Sequence, residues 1–372
     1  MKPVRIFVVD DSMVVRKIVC DTLAEDPALE IAGTTSDGRS ALAKLPLMNA
    51  DLVTLDIEME GMSGLETLAE IRKIYPKLPV FMYSTLTERG ASATLEALSL
   101  GASDYATKPE HATSPAEARE NIRAELIPKI KSLCRVGVER RVAPRASVPS
   151  LSGKIVRPSR RRIEIVAIGT STGGPKALSE VLPSFPQDFP VPIVIVQHMP
   201  PVFTRQLAER LSSRSAIAIS EGTEGVALQS GHAWIAPGNF HMTVGRSENR
   251  NLLHLNQGPQ ENSCRPSVDV LFRSVAQLYG PGALAVVMTG MGSDGARGAE
   301  QIRNAGGEVI VQDEATSVVW GMPGIIYAAG NADGVYPLNQ LEREVTRRVV
   351  ESRGRRVVAG SENAHAVENV RK

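Results

Sequence analysis

The sequence predicts two α/β domains, each a doubly wound parallel sheet, joined by a basic linker. Three observations carry this. The chain has 372 residues, which at ~150 residues per domain gives two or three domains. Short β-rich runs alternate with helical patterns in two separate stretches, the pattern of parallel sheets with helices on both faces. Charge is blocked: the total is +1, but residues 1–125 carry 13 basic and 20 acidic side chains, 126–162 carry 11 and 1, 163–350 carry 13 and 17, and 351–372 carry 5 and 3.

In the first stretch, strands are expected over 4–9, 31–34, 52–55, 80–83 and 104–106. Helices are expected over 13–24, 39–45, 64–74, 91–100 and 115–134. The domain is drawn as 1–125. The segment 126–162, with Arg140-Arg141, Pro144, Pro149, Pro158 and Arg160-Arg161-Arg162, has few large apolar residues past its start. It cannot bury a core and is expected to be an exposed flexible linker. A second domain is drawn over 163–350, with strands over 163–168, 192–196, 233–236, 283–289 and 308–312 and helices over 175–182, 203–212, 267–279 and 294–305. The tail 351–372 is expected to be disordered.

Composition excludes several classes. With 42% apolar and 22% charged residues the chain is an ordinary globular sequence. A near-zero net charge removes a global electrostatic argument for binding nucleic acid or a membrane surface. Asp10 and Asp11 end the N-terminal apolar run too early for a signal-peptide core, and only 283–288 is continuously apolar within the uncharged run 274–293. A cytoplasmic protein with no membrane insertion is the expectation. Cys20, Cys134 and Cys264 are far apart and odd in number, so neither a disulfide framework nor a cysteine metal cluster is expected.

Chemistry in such sheets lies outside the strand C-termini. In the first domain Asp10 and Asp11 follow the first strand, Asp56 the third, Ser84 the fourth and Lys108 the fifth. Three carboxylates at one sheet edge repel one another unless a divalent cation sits among them, and oxygen donors of this kind suit Mg²⁺. Asp56 is then placed to attack a phosphoryl donor, with Lys108 neutralising developing charge and the Ser84 hydroxyl binding the group once attached. Taken singly, each residue also fits a turn, a cap or a solubilising charge.

The combination of DD, D, S and KP in this order resembles the receiver domain of two-component response regulators, a flavodoxin-like fold. The resemblance implies that Asp56 is the phosphorylation site, that Asp10, Asp11, Asp56 and the Glu58 backbone carbonyl hold Mg²⁺, and that Tyr105 is an aromatic switch. It further implies a histidine kinase as phosphodonor. Glu60 departs from the pattern, standing where receivers usually have proline.

The second domain opens with IVAIGTSTGGP. Three readings of this loop compete: a phosphate cradle, a plain strand-to-helix turn, or a turn that lifts Ser171 above the sheet edge as a nucleophile. Glycines at 169, 173 and 174 fit neither GxGxxG nor GxxxxGK[ST]. The nucleophile reading needs a base and an acid at other strand ends. His198 follows the next strand and Asp294 follows a later one, so hydroxyl, imidazole and carboxylate are expected in series. A backbone N–H of Met291 or Thr172 is available to an oxyanion. His198 alone also fits a core histidine, and Asp294 alone a helix cap at the start of 294–305. His232, His241 and His254 show no ligand spacing with Cys264 and are set aside, as is Asp269, which falls within a helical pattern.

GTSTGG, QHMP and TGMGSDGA together resemble the chemotaxis protein-glutamate methylesterase (CheB) family, with a Rossmann-like esterase domain. The match spans about 1–125 and 163–350; the linker and tail match poorly. It implies hydrolysis of glutamate methyl esters on chemoreceptors, methanol release, and glutamine deamidation as a second activity. By the same resemblance Ser171, His198 and Asp294 are catalytic, Met291 and Thr172 lie at oxyanion or substrate-contact positions, and the esterase reaction needs no cofactor. The receiver is expected to cover the cleft until phosphorylated, in a monomeric protein. Two rivals remain at this point: a receiver driving DNA binding, which charge and pattern disfavour, and an inactive adaptor built on the esterase fold.

Overall fold

The computed structural model describes residues 2–108, 114–134, 136 and 162–354. The first unit contains β1 (Val4–Val9), α1 (Met13–Ala24), β2 (Leu29–Thr35), α2 (Gly38–Met48), β3 (Leu52–Asp56) and α3 (Gly64–Ile74). It continues through β4 (Val80–Ser84), α4 (Glu88–Ser99), β5 (Asp104–Thr107), α5 (Pro115–Asn121) and α6 (Ile127–Leu133), with a π-helical turn between the last two. Helix starts follow the side chains that can take an orphan N–H: Ser12 caps α1, Asp37 α2, Thr87 α4 and Ser114 α5, and Ser63 with Glu66 forms a reciprocal capping box on α3.

The five strands pair in parallel in the order β2-β1-β3-β4-β5. The chain reverses direction across the sheet between β1 and β3, and this switch point puts Asp10, Asp11 and Asp56 at one edge. Helix α6 runs to Leu133, carrying the first unit past residue 125 into the expected linker. Residues 137–161, most of the basic segment, lie outside the described residues, as do 355–372.

The second unit contains β6 (Ile165–Thr170), α7 (Gly174–Val181), β7 (Ile193–Gln197), α8 (Phe203–Ser212), β8 (Ala218–Glu221), β9 (His232–Ile235), β10 (His241–Ser247) and β11 (Arg250–Asn256). It ends with α9 (Val268–Tyr279), β12 (Ala283–Val287), α10 (Ala296–Asn304), β13 (Glu308–Gln312), α11 (Met322–Ala328), β14 (Gly334–Tyr336) and α12 (Leu338–Gly354). Seven strands form a parallel sheet, β14-β13-β12-β6-β7-β9-β8. Its central strands β6, β7 and β12 are buried along their whole length, as both-face covering requires. After β6 the chain builds outward through β7, then returns to the other side of β6 with β12. The second switch point therefore lies between β6 and β12.

Several elements had no counterpart in the sequence reading. The antiparallel hairpin β10–β11 turns through Glu248-Asn249, a dipeptide without the Asn-Gly or Asp-Gly signal. Edge strands β8 and β14 are short and partly exposed, too short to show a period. Helix α12 extends past residue 350, and the Ser352 hydroxyl accepts from the Ile163 N–H at 3.0 Å, tying the end of the unit to its beginning.

The two units share a buried apolar cluster that includes Leu95, Leu98 and Tyr105 from the first and Leu178, Phe203 and Leu207 from the second. The Tyr105 ring stacks on Phe203 with centroids 5.1 Å apart and planes 9° from parallel. At the rim Arg205 pairs with Glu88, the Gln206 amide donates to the Glu88 carbonyl at 2.8 Å, and Arg210 donates to Ser99 at 3.0 Å. Helices α7 and α8, which follow the Ser171 and His198 loops, are thus the elements the first unit rests on.

Candidate active site

At the second switch point the β6–β7 register, ending Thr170↔Gln197, sets the Ser171 and His198 backbones side by side. The Ser171 N–H donates to Thr289 O at 3.1 Å and the His198 N–H to Thr170 O at 3.2 Å. Gly290 closes the other flank: a Cβ there would lie 2.9 Å from Ser171 Cβ and 2.3 Å from Met322 Sδ. Only glycine leaves room for the serine.

His198 Nε2 and Asp294 Oδ2 are 2.8 Å apart. The carboxylate also accepts from the Asn262 amide (2.8 Å), the Ser267 hydroxyl (2.8 Å) and the N–H groups of Val268 (2.6 Å), Asp269 (3.1 Å) and Gly295 (3.1 Å). Two of these N–H groups open α9, so the carboxylate, which taken alone also fitted a cap for its own helix, sits at the positive end of another. Burial by itself would raise the Asp294 carboxyl. The His198 hydrogen bond and charge, with the Val268 and Asp269 N–H groups, overcome it and hold the carboxyl at about 2. Burial disfavours the charged imidazole of His198, but Asp294 and Cys264 outweigh it and raise its pKa.

The expected series is only partly formed. Imidazole and carboxylate are joined, whereas among the described residues no hydrogen bond links the Ser171 hydroxyl to the ring. The ring's other nitrogen, Nδ1, faces Cys264 Sγ at 3.6 Å. Donor atoms of His198, Cys264 and Asp294 lie within 4.8 Å of one another, a grouping of one cysteine with an imidazole and a carboxylate that the expectation about the three cysteines did not address. Sequence spacing could not show it, because the thiol is delivered by a tight turn in which Glu261 and Cys264 exchange backbone hydrogen bonds while Asn262 and Ser263 adopt positive φ. Asp269, also set aside, is buried and accepts from the Asn262 amide and the Gly298 N–H. It fixes the side chain that braces Asp294.

Thr172 is buried, and neither its N–H nor that of Met291 finds an acceptor among the described residues, leaving two donors beside Ser171. The loop after His198 is strained at Val202 (φ 72°). Gly238 packs against it, and a Cβ there would lie 2.2 Å from the Pro201 nitrogen. These contacts fix the start of α8, where Phe203 meets Tyr105.

At the first switch point, Lys108 Nζ lies 2.7 Å from Asp56 Oδ2 and 3.7 Å from Asp10 Oδ2. Asp56 also accepts from the Glu58 N–H at 3.2 Å. Burial lifts the Asp56 carboxyl to about 7, Asp10 adds to the rise, and Lys108 and the Glu58 N–H oppose it. Burial likewise raises Asp10, whose Oδ2 has no hydrogen-bond partner. One oxygen each from Asp10, Asp11 and Asp56 lie within 4.8 Å of one another. A buried carboxylate oxygen that faces an ammonium only at 3.7 Å and accepts no hydrogen bond, set among hard oxygen donors, fits a Mg²⁺ ion. The buried Ser84 hydroxyl donates to Gly90 O at 3.1 Å, turned toward the first turn of α4. Beside the interface, the Lys129 ammonium donates to Tyr105 O (2.9 Å) and Glu125 (3.0 Å). Burial raises the Asp104 carboxyl, with Lys129, the Tyr105 N–H and the Thr172 hydroxyl opposing. Asp104 Oδ2 and the Thr172 hydroxyl are both buried without a hydrogen-bond partner.

A serine, an imidazole–carboxylate pair and free N–H donors on one sheet, with a lysine-capped acidic pocket on another, make the arrangement of a receiver-linked α/β hydrolase. The family models agree: residues 6–118 match the response regulator receiver domain and residues 166–345 the CheB methylesterase. A protein-glutamate methylesterase/protein-glutamine glutaminase of Trichodesmium erythraeum is 51% identical over 94% of this chain and 100% of its own length, and one of Nocardioides sp. is 46% identical over 97% and 100%. The CheB methylesterase catalytic domain of Thermotoga maritima is 40% identical, covering 50% of this chain and 98% of that one, with a TM-score of 0.49. The chain belongs to the CheB methylesterase family and is a hydrolase with a receiver domain. Among the described residues no helix is long and apolar enough to cross a membrane.

Proposed function

We propose that this protein removes methyl groups from glutamate methyl esters on cytoplasmic regions of chemoreceptors, under control of phosphorylation at Asp56 by the chemotaxis histidine kinase. The observation that carries the catalytic half is the His198–Asp294 pair beside Ser171. Ser171 Oγ attacks the ester carbonyl carbon while its proton passes to His198 Nδ1. The N–H groups of Thr172 and Met291 bind the oxyanion, an effect worth ~10²–10³ in rate per donor. His198 returns the proton to the departing methoxide, giving methanol, and water cleaves the acyl-enzyme by the same route. Asp294 holds the ring by Nε2 and stabilises its cation. A glutamine carboxamide presented to the same serine loses ammonia, the second activity named for the relatives.

In this reading Asp10, Asp11 and Asp56, with the Glu58 carbonyl, hold Mg²⁺, which when bound offsets charge on the transferring phosphoryl oxygens. Lys108 leaves its pair with Asp56 for the phosphoryl group, and the Ser84 hydroxyl turns from Gly90 toward it. Tyr105 then loses its place on Phe203, the residue that anchors the loop carrying His198. Relief of that stack, with Asp104 withdrawn from Thr172, opens the cleft. The protein works as a monomer in the cytoplasm, without nucleic acid.

The test is methanol release from methylated receptor fragments, with and without a small-molecule phosphodonor. Wild type is expected to release methanol and to be stimulated several-fold. Release that is absent in both conditions from a folded protein refutes the esterase reading; release that ignores the phosphodonor refutes the coupling.

A further inference from the structure

We propose that Cys264 and His198 form an inhibitory site for Zn²⁺ or a comparably soft divalent cation, closed on the second side of the imidazole by Asp294. Zinc binds thiolate at ~2.3 Å and imidazole at ~2.0–2.1 Å, so two such ligands at a tetrahedral angle stand about 3.6 Å apart. The observed Sγ···Nδ1 separation is 3.6 Å. The ring's other nitrogen is bound to a carboxylate, the outer-shell arrangement that fixes ring orientation and strengthens a metal-ligating histidine.

The ligand turn is built in advance. Its ends are joined by Glu261 N–H to Cys264 O at 3.2 Å and Cys264 N–H to Glu261 O at 3.0 Å. The Asn262 amide ties it to both Asp294 and Asp269 at 2.8 Å. Cys264 and His198 are each partly exposed, which leaves the remaining coordination positions to water. Sulfur and nitrogen donors select this class of cation over Mg²⁺, which suits the oxygen-only pocket around Asp56. Metal on Nδ1 occupies the lone pair that takes the Ser171 proton. The inhibitory consequence rests on the proposed role of His198 as base; the binding does not.

The decisive experiment titrates Co²⁺, then Zn²⁺, into the full-length protein in excess Mg²⁺, which keeps the Asp56 pocket occupied. Wild type is expected to give a thiolate-to-cobalt charge-transfer band saturating at one ion per chain and discharged by Zn²⁺. Cys264→Ser loses the band, whereas Cys20→Ser and Cys134→Ser keep it. Asn262→Ala, an outer-shell change, weakens binding ~10–100-fold. In the esterase assay Zn²⁺ inhibits wild type reversibly, a chelator restores it, and Cys264→Ser needs at least ~10-fold more metal for the same fractional inhibition. A band that survives in Cys264→Ser, or that never forms in wild type, overturns the site. A Cys264-dependent band without inhibition leaves the site standing and overturns both its inhibitory effect and the role of His198.

Discussion

Two switch points on two parallel sheets place a buried aspartate at the end of a strand loop, and the two carboxyls are driven in opposite directions. Asp56 is 1% exposed and lifted to about 7; Asp294 is 2% exposed and held at about 2. Burial does not distinguish them. Donor supply does: Asp294 receives three backbone N–H groups, an amide, a hydroxyl and an imidazole, while Asp56 receives one N–H and a lysine and faces the Asp10 carboxylate. The carboxylate proposed to orient the imidazole as an anion is saturated with donors. The one proposed to react is left undersatisfied, a state that a cation and a phosphoryl group would relieve.

The largest expected effect is at the serine. Ser171→Ala is predicted to lower methanol release by about 10⁴-fold or more with unchanged thermal unfolding, measured on purified protein at neutral pH. Activity within ten-fold of wild type would remove Ser171 as nucleophile.

Asp294→Asn comes next. It removes the charge that raises His198 and is predicted to cost about 10³–10⁴-fold in kcat and about 1–3 kcal/mol of stability, through loss of the charge-assisted hydrogen bonds that the carboxylate accepts. The pH–rate profile sharpens this: with His198 as the proposed base, activity in wild type is expected to climb with pH through the raised pKa, and in the variant the climb moves to lower pH. The stability signs are fixed as well. The His198 contribution is full below ~6.5 and is lost as pH rises through its raised folded value. The Asp294 contribution is full above ~3.8 and is lost as pH falls toward about 2.

Asp56→Asn is the inverse experiment. Because the folded pKa is raised, Asp56 binds its proton more tightly in the folded state, and stability falls as pH climbs from ~3.8 to about 7. Replacing it is predicted to raise stability by roughly 1–4 kcal/mol at pH 7.5 without Mg²⁺, with the gain shrinking toward pH 4. Basal methanol release persists and stimulation by a phosphodonor disappears. A destabilised variant at pH 7.5 would break the contrast between the two aspartates.

The smallest effect concerns the seam between the units. The exposed Arg205–Glu88 pair is worth ~0–1 kcal/mol, so Arg205→Ala is predicted to raise basal release by at most about five-fold. Tyr105→Ala, which removes the ring stacked on Phe203, is predicted to raise it further. Equal basal rates in wild type and both variants would show that the seam does not hold the cleft closed.

Sequence alone determined the alternation of the central strands and helices, though not the β10–β11 hairpin or the edge strands β8 and β14, and with it which residues follow the central strand ends. That follows from local chemistry: a period-2 or 3.6 apolar pattern, a capping Ser or Asp, and the rule that parallel strands deliver their ends to one edge. Ser171, His198, Asp294, Asp10, Asp56 and Lys108 were legible for that reason. The tertiary structure decided what had no local signature. It brought Cys264 and Asn262 to the imidazole–carboxylate pair through a turn far along the chain, and it put the Asp294 carboxylate at the head of α9 rather than α10. It also stacked Tyr105 on Phe203 across two units. Each depends on contacts between residues distant in sequence, where packing and the saturation of buried donors, not propensity, set the geometry.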